Sequence, residues 1–185
     1  QRIISIIAVY LLEQYCVSIN FNFIPMKKIL FFAVTLLLFS SFSSYTNSEN
    51  KEQEQITIVL DNWHKAAADA NAKLYFGALT EDAVFIGTDA TENWNKKEFE
   101  AFAKPYFDKG KAWDFKPLER HIYLSKDQKT AWFDELLDTW MKVCRGSGVM
   151  VKVGNEWKIQ HYVLSMTVPN DNTNEVIKIK APIED

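Results

Sequence analysis

Glu135 and Arg145 stand symmetrically about Trp140, each inside a run that alternates apolar and polar residues. Alternation with period two assigns faces in a sheet. One face takes Ala131, Phe133, Glu135 and Leu137; the next run gives Val143, Arg145, Ser147, Val149 and Val151; the third gives Trp157, Ile159, His161, Val163 and Ser165. A hairpin turning symmetrically at Trp140 sets Glu135 opposite Arg145, where opposite charges pair across strands. Two readings follow. Either the pair floors a cavity in which Arg145 grips a carboxylate or enolate oxygen, or it is a buried ion pair that satisfies itself. Ser147 adds a hydroxyl to the same lining.

Other residues can move protons. Asp89 follows a strand-like run in Gly87-Thr88-Asp89-Ala90-Thr91. In an apolar cavity such a carboxyl becomes a general base; at a turn it is an ordinary capping residue. His64 and His161 are an acid/base pair if both face one cavity, and core histidines if they do not. His64, His121 and His161 have no metal-ligand spacing, and Cys144 has only Cys16 as a fellow cysteine, so a zinc site is not expected. No metal and no organic cofactor is expected. Trp63, Phe85, Trp94, Tyr106, Trp113 and Phe133 supply walls if a cavity exists, and plain core otherwise.

These residues must be carried by a particular order of elements. From Ile56 the apolar positions Val59, Leu60, Trp63, Ala67 and Ala70 step by three and four, which predicts a helix. A short helix is predicted over 72–79 and a strand over 83–88. Asn95 with Glu98 begins a third helix through an Asn-type capping box. Pro105 kinks or ends it, and Gly110 stops it. A strand is predicted over 113–125, interrupted at Pro117, before the three alternating runs 130–140, 144–153 and 157–168. Short loops between strands imply antiparallel pairing, and helices on one side of one sheet make an α+β fold. A two-residue turn at Gly154-Asn155 puts His161 with Gly148 and Met150. A three-residue turn including Glu156 puts it with Val149, and outward Lys158 and Gln160 favour that turn.

The chain has 185 residues, formal net charge -3, and 14% aromatic residues. That suits one domain with a lined cavity and advertises no nucleic-acid surface. Lys27-Lys28, the apolar run 29–39 and Ser41 to Ser43 have the layout of a signal peptide. The apolar run is short for a membrane span. The expected organisation is therefore a non-native upstream extension (1–25), a signal peptide (26–43), a linker (44–55), one domain (56–170) and a tail (171–185) that adds an edge strand. The expected location is secreted or periplasmic, with no stable membrane span after cleavage.

Taken together, Leu60-Asp61-Asn62-Trp63-His64-Lys65-Ala66-Ala67-Ala68, Thr80-Glu81-Asp82-Ala83-Val84-Phe85-Ile86-Gly87-Thr88-Asp89, Ala131-Trp132-Phe133-Asp134-Glu135, Cys144-Arg145-Gly146-Ser147-Gly148 and Trp157-Lys158-Ile159-Gln160-His161-Tyr162 resemble the SnoaL-like branch of the nuclear transport factor 2-like superfamily. The resemblance implies a cone: a bent antiparallel sheet packed on three N-terminal helices, enclosing a pocket. It implies a small-molecule ligand, apolar or carbonyl-containing, and leaves two functions open. One is cofactor-free proton transfer of the isomerase, cyclase or dehydratase kind. The other is a non-catalytic binding or homodimeric interaction module. Trp132, Leu136, Cys144 and Met150 fall on the outer sheet face by alternation, which favours a homodimer.

Overall fold

The computed structural model describes residues 49–180. The expected upstream extension, signal peptide and start of the linker lie outside the described residues. The rest of the expected linker is helix: residues 49–68 are helical and form α1. Its glutamates, lysine and glutamines are good helix formers. Glu52 also ties it down, accepting from Lys152 Nζ and Trp157 Nε1, each at 2.7 Å. Further along, Ile56, Leu60, Trp63 and Ala67 form the buried stripe. His64 is carried beside them.

After α1 come α2 (Ala72–Gly77), β1 (Leu79–Ile86), β2 (Asn93–Asn95) and α3 (Lys96–Asp108). The Asn95 side chain accepts from Glu98 N and Glu98 accepts from Asn95 N, the reciprocal capping box. Pro105 does not end α3. The helix runs on to Asp108, three residues past the proline, and Gly110 follows at φ 70°. Then come β3 (Lys116–Leu124), β4 (Thr130–Thr139), β5 (Lys142–Val153), β6 (Glu156–Met166), a short 3-10 turn (Asn170–Asn172) and α4 (Thr173–Ile179). The described part of the tail is thus helical where an edge strand was expected.

The six strands form one sheet in the order β2-β1-β6-β5-β4-β3. The α+β class stands, but the sheet is mixed: β1 runs parallel to β6, and the other pairs are antiparallel. Pro117 is tolerated because β3 is an edge strand, with a register shift beside the proline. The inner face and the helices share one core containing Ile56, Leu60, Phe99, Phe107, Leu137, Met150 and Ile159.

The β4–β5 hairpin differs from the symmetric one. Its turn is Trp140-Met141, so Thr139 pairs with Lys142, Glu135 with Gly146, and Leu136 with Arg145. Every residue of β5 therefore shows the face opposite to the one expected, the usual consequence of a one-residue slip. Cys144, Gly146, Gly148 and Met150 are buried, whereas Arg145 is exposed and Ser147 and Val149 are half-buried on the outer face. Cys144 and Met150 are thus removed from the outer face; Trp132 and Leu136 remain on it.

The second hairpin has the two-residue Gly154-Asn155 turn, pairing Val153 with Glu156. His161 nevertheless meets Val149, because a bulge at Gln160 adds one residue to β6. Trp157 and Ile159 point inward before the bulge, Tyr162 and Leu164 after it. His161 is left on the outer side.

Candidate functional site

Glu135 is a charged side chain in the interior, at 0% exposure. Its place on the inward face of β4 follows from the alternation Ala131, Phe133, Glu135, Leu137. Its partners come from three other elements. From α1, His64 Nε2 lies 2.7 Å from Glu135 Oε1. From β6, the Tyr162 hydroxyl donates to the same oxygen at 3.2 Å. From β3, Arg120 Nε donates to Oε2 at 2.9 Å, with Nη2 2.8 Å from that oxygen but making no hydrogen bond of its own. Arg120 Nη1 then reaches Asp61 Oδ1 on α1 at 2.7 Å.

Burial alone pushes the Glu135 carboxyl up, but the hydrogen bond and charge of His64 and the guanidinium of Arg120 outweigh it and hold the group below its ordinary range. Glu135 is therefore an ionised acceptor. It orients His64 through Nε2 and leaves Nδ1 with no hydrogen-bond partner among the described residues. Tyr162 is driven well above the usual phenol range, chiefly by burial and then by the Glu135 charge. It stays a neutral donor.

Arg145 is not part of this arrangement. Arg120 takes the position proposed for it, as the direct cross-strand neighbour of Glu135. A signal for Arg120 was present, since it shares the period-two face of Ile122 and Leu124. It was obscured because the residues before Pro117 do not continue the pattern. Tyr162 was missed because the Gln160 bulge is invisible to simple alternation.

His64 lines a cavity of about 240 Å³. Five of the expected aromatic walls, Trp63, Phe85, Trp94, Tyr106 and Trp113, border it. Phe133 does not; it packs behind Tyr162, ring centroids 6.1 Å apart. Phe85 stacks on Phe99 at 3.9 Å, and Trp94 on Phe102 at 4.5 Å. Asn95 and its capping box seat α3 so that Phe99 and Phe102 complete this wall. Trp113 to Phe115 were expected as strand but are loop; Trp113 and Phe115, with Ala112 before them, line the cavity. Trp140 and Met141, from the β4–β5 turn, reach its edge.

Two buried donors at this cavity lack hydrogen-bond partners: Trp63 Nε1 and the Tyr75 hydroxyl. The Trp113 indole approaches the Tyr75 hydroxyl without hydrogen-bond geometry. Buried donors without partners are costly, and a ligand oxygen relieves that cost.

The remaining expected residues lie elsewhere. Asp89 is exposed and accepts from Thr91 N at 2.9 Å and Thr91 Oγ1 at 2.6 Å. Those bonds, the Thr91 hydroxyl first, hold its carboxyl below the usual range. This is a turn carboxylate. Ser147, Arg145 and His161 are on the outer face. Among the described residues no group of three His, Cys, Asp or Glu side chains is placed to hold a metal ion. No helix among them is long and apolar enough to cross a membrane.

Residues 56–169 match the SnoaL-like domain. No curated protein matches the chain. Among solved structures, a provisionally assigned scytalone dehydratase from Novosphingobium aromaticivorans superposes with TM-score 0.58 at 10% identity, covering 66% of this chain and 89% of that one. A provisionally assigned dehydratase of the NTF2-like family from Streptomyces avermitilis gives TM-score 0.57 at 10% identity, covering 65% and 99%. An NTF2-like protein of unknown function from Pseudomonas putida gives 0.55 at 14% identity, covering 67% and 92%. At such identities the shared property is the fold.

Proposed function

We propose, from the premise that this chain belongs to the SnoaL-like domain family, that its aromatic cavity binds a small carbonyl compound and moves a proton on it without a cofactor. The observation that carries this reading is the 2.7 Å contact between Glu135 and His64 at the cavity wall. Glu135 holds the Nε2 side of the ring, so Nδ1 is the nitrogen free to take a proton from carbon or oxygen of the ligand. The imidazolium so formed is stabilised by the carboxylate behind it. Arg120 shares that carboxylate, which limits its pull and lets His64 give the proton back. The Tyr75 hydroxyl and Trp63 Nε1 are donors for the carbonyl or enolate oxygen. The aromatic walls exclude water, which strengthens each of these contacts.

The reading is tested without knowing the natural ligand. Exchange of the α protons of 2-tetralone in D2O, followed by NMR, is expected to be faster with the full chain than with His64→Gln at equal melting temperature. Equal rates sink the proposal.

A second reading is a homodimeric, non-catalytic binding module. Trp132 and Tyr123 favour it: their rings stack at 5.9 Å on the outer sheet face, and both are about half exposed (48% and 46%). Ligand binding with no proton exchange in any carbonyl probe is the outcome that selects it.

A further inference from the structure

We infer that the ligand of this cavity is an organic cation, an amine or quaternary ammonium group carried on a small apolar body. The inference rests on the reading that this cavity is the ligand site, and adds the charge of what enters it.

The cavity holds a carboxylate and no fixed positive charge. Among the described residues lining it there is no lysine and no arginine, and Glu92 is the acid. The arginine expected to grip an anion is on the other face of the sheet, and Arg120 is consumed by Glu135 and Asp61. His64 is tied to Glu135 and offers no unbalanced charge. A ligand carboxylate entering here meets the negative faces of the rings and the charge of Glu92, with only the neutral donors Trp63 Nε1 and the Tyr75 hydroxyl opposite.

A cation meets the reverse. Glu92 and Trp94 are two residues apart at the start of β2, and both line the cavity beside Phe102. Trp94 and Phe102 stack at 4.5 Å with planes 23° apart, a two-ring wall with its neighbours Phe99 and Tyr106. Ring faces attract ammonium groups, tryptophan most strongly, and the attraction grows as water is excluded. Glu92 Oε2 accepts from Asp89 N at 3.1 Å, which fixes the side chain. Its other oxygen has no hydrogen bond to the described residues, and the group makes no ion pair among them. The half-buried Glu92 and the buried His64 border one cavity. The ammonium head belongs beside Glu92, and the body carries its carbonyl toward His64, Trp63 and Tyr75. At about 240 Å³ the space lies below the roughly 300–1,000 Å³ usual for drug-sized ligands, so the body is about one ring.

Three probes of similar size test this on the full chain: benzyltrimethylammonium, its uncharged isostere neopentylbenzene, and the anion 3-phenylpropanoate. Quenching of tryptophan fluorescence reads binding, since Trp94 and Trp113 are in the wall. The cation is expected to bind about tenfold more tightly than the hydrocarbon, and the anion more weakly than either. Glu92→Gln keeps the side-chain shape and its acceptor for Asp89 N. It is expected to remove most of the cation's advantage while leaving hydrocarbon binding unchanged. Hydrocarbon binding as tight as the cation's, or Glu92→Gln weakening both alike, overturns the inference and leaves the proposed ligand cavity standing. Tightest binding by 3-phenylpropanoate overturns it as well. If no probe binds, the inference falls, and α-proton exchange of 2-tetralone decides separately whether the cavity is a ligand site.

Discussion

Glu135 is fully buried and ionised, so its stability contribution depends on partners rather than on its own transfer to the interior. Removing one member of a buried ion pair typically costs about 3–5 kcal/mol, because the other is left uncompensated. Glu135→Leu strands Arg120 and His64; Arg120→Leu strands Glu135. The double change Glu135→Leu with Arg120→Leu should therefore cost less than the sum, with a coupling of about 0.5–3 kcal/mol in chemical denaturation. Glu135→Leu with Arg145→Leu should be additive within about 0.5 kcal/mol, since the two side chains are on opposite faces. Coupling in the second cycle and none in the first would reverse the register described here. The pH dependence has a definite sign. The folded carboxyl of Glu135 lies below its ordinary value of 4.5. Its contribution is present above that value and is lost as pH falls through the folded value beneath it. Denaturant midpoints measured from about pH 6 down to pH 2 should fall more steeply for the natural chain than for Glu135→Gln.

Among the elements, β5 and β6 decide what reaches the cavity. Gly146 and Gly148 occupy inward positions where side chains from other elements need room. A methyl at Gly148 would stand 2.4 Å from the His161 carbonyl oxygen, which is backbone and cannot swing away. A methyl at Gly146 would stand 2.2 Å from the Tyr162 hydroxyl and 3.1 Å from Glu135 Cγ. Gly148→Ala is expected to destabilise by about 1–3 kcal/mol through overpacking, measured by thermal melting. Gly146→Ala should disturb the site more selectively, displacing Tyr162 from Glu135 while the fold persists. Unchanged α-proton exchange in a folded Gly146→Ala protein would show that Tyr162 is dispensable to His64. The Gln160 bulge acts at the same scale, because without it Tyr162 would face outward.

For the molecule as a whole, the outer sheet face exposes Trp132 and Tyr123 among the described residues. We expect it to pair with a second copy, through a patch centred on Trp132 and Tyr123. Light scattering at tens of micromolar should give twice the chain mass, and Trp132→Glu should give the monomer. A monomeric mass for the natural chain would dismiss the dimer. Export is a separate proposal, resting on Lys27-Lys28 and the apolar run after them. Intact mass of protein made with its own leader should place the start near Ser44; retention of Met26 would refute it.

The sequence by itself determined the kinds and order of the elements from the Ile56 stripe of α1 through β6, apart from β2. The helix stripe of Ile56, Leu60 and Trp63, the capping box at Asn95, the inward Glu135 on β4, the histidine at position 64 and most of the aromatic wall were legible, because each is written in a local period or cap. The SnoaL-like fold was legible for the same reason, as an ordered set of such segments. What could not be read was which residues meet across strands. Alternation says that two residues share a face of their own strand, but a one-residue slip at Trp140-Met141 inverts the whole of β5 and replaces Arg145 with Arg120. The bulge at Gln160 inverts β6 midway and exchanges His161 for Tyr162. Turn length and bulges are settled by the packing of the entire sheet against α1 and α3. So the charge at the heart of the site was visible in the chain, and the identity of every group touching it was decided by tertiary register.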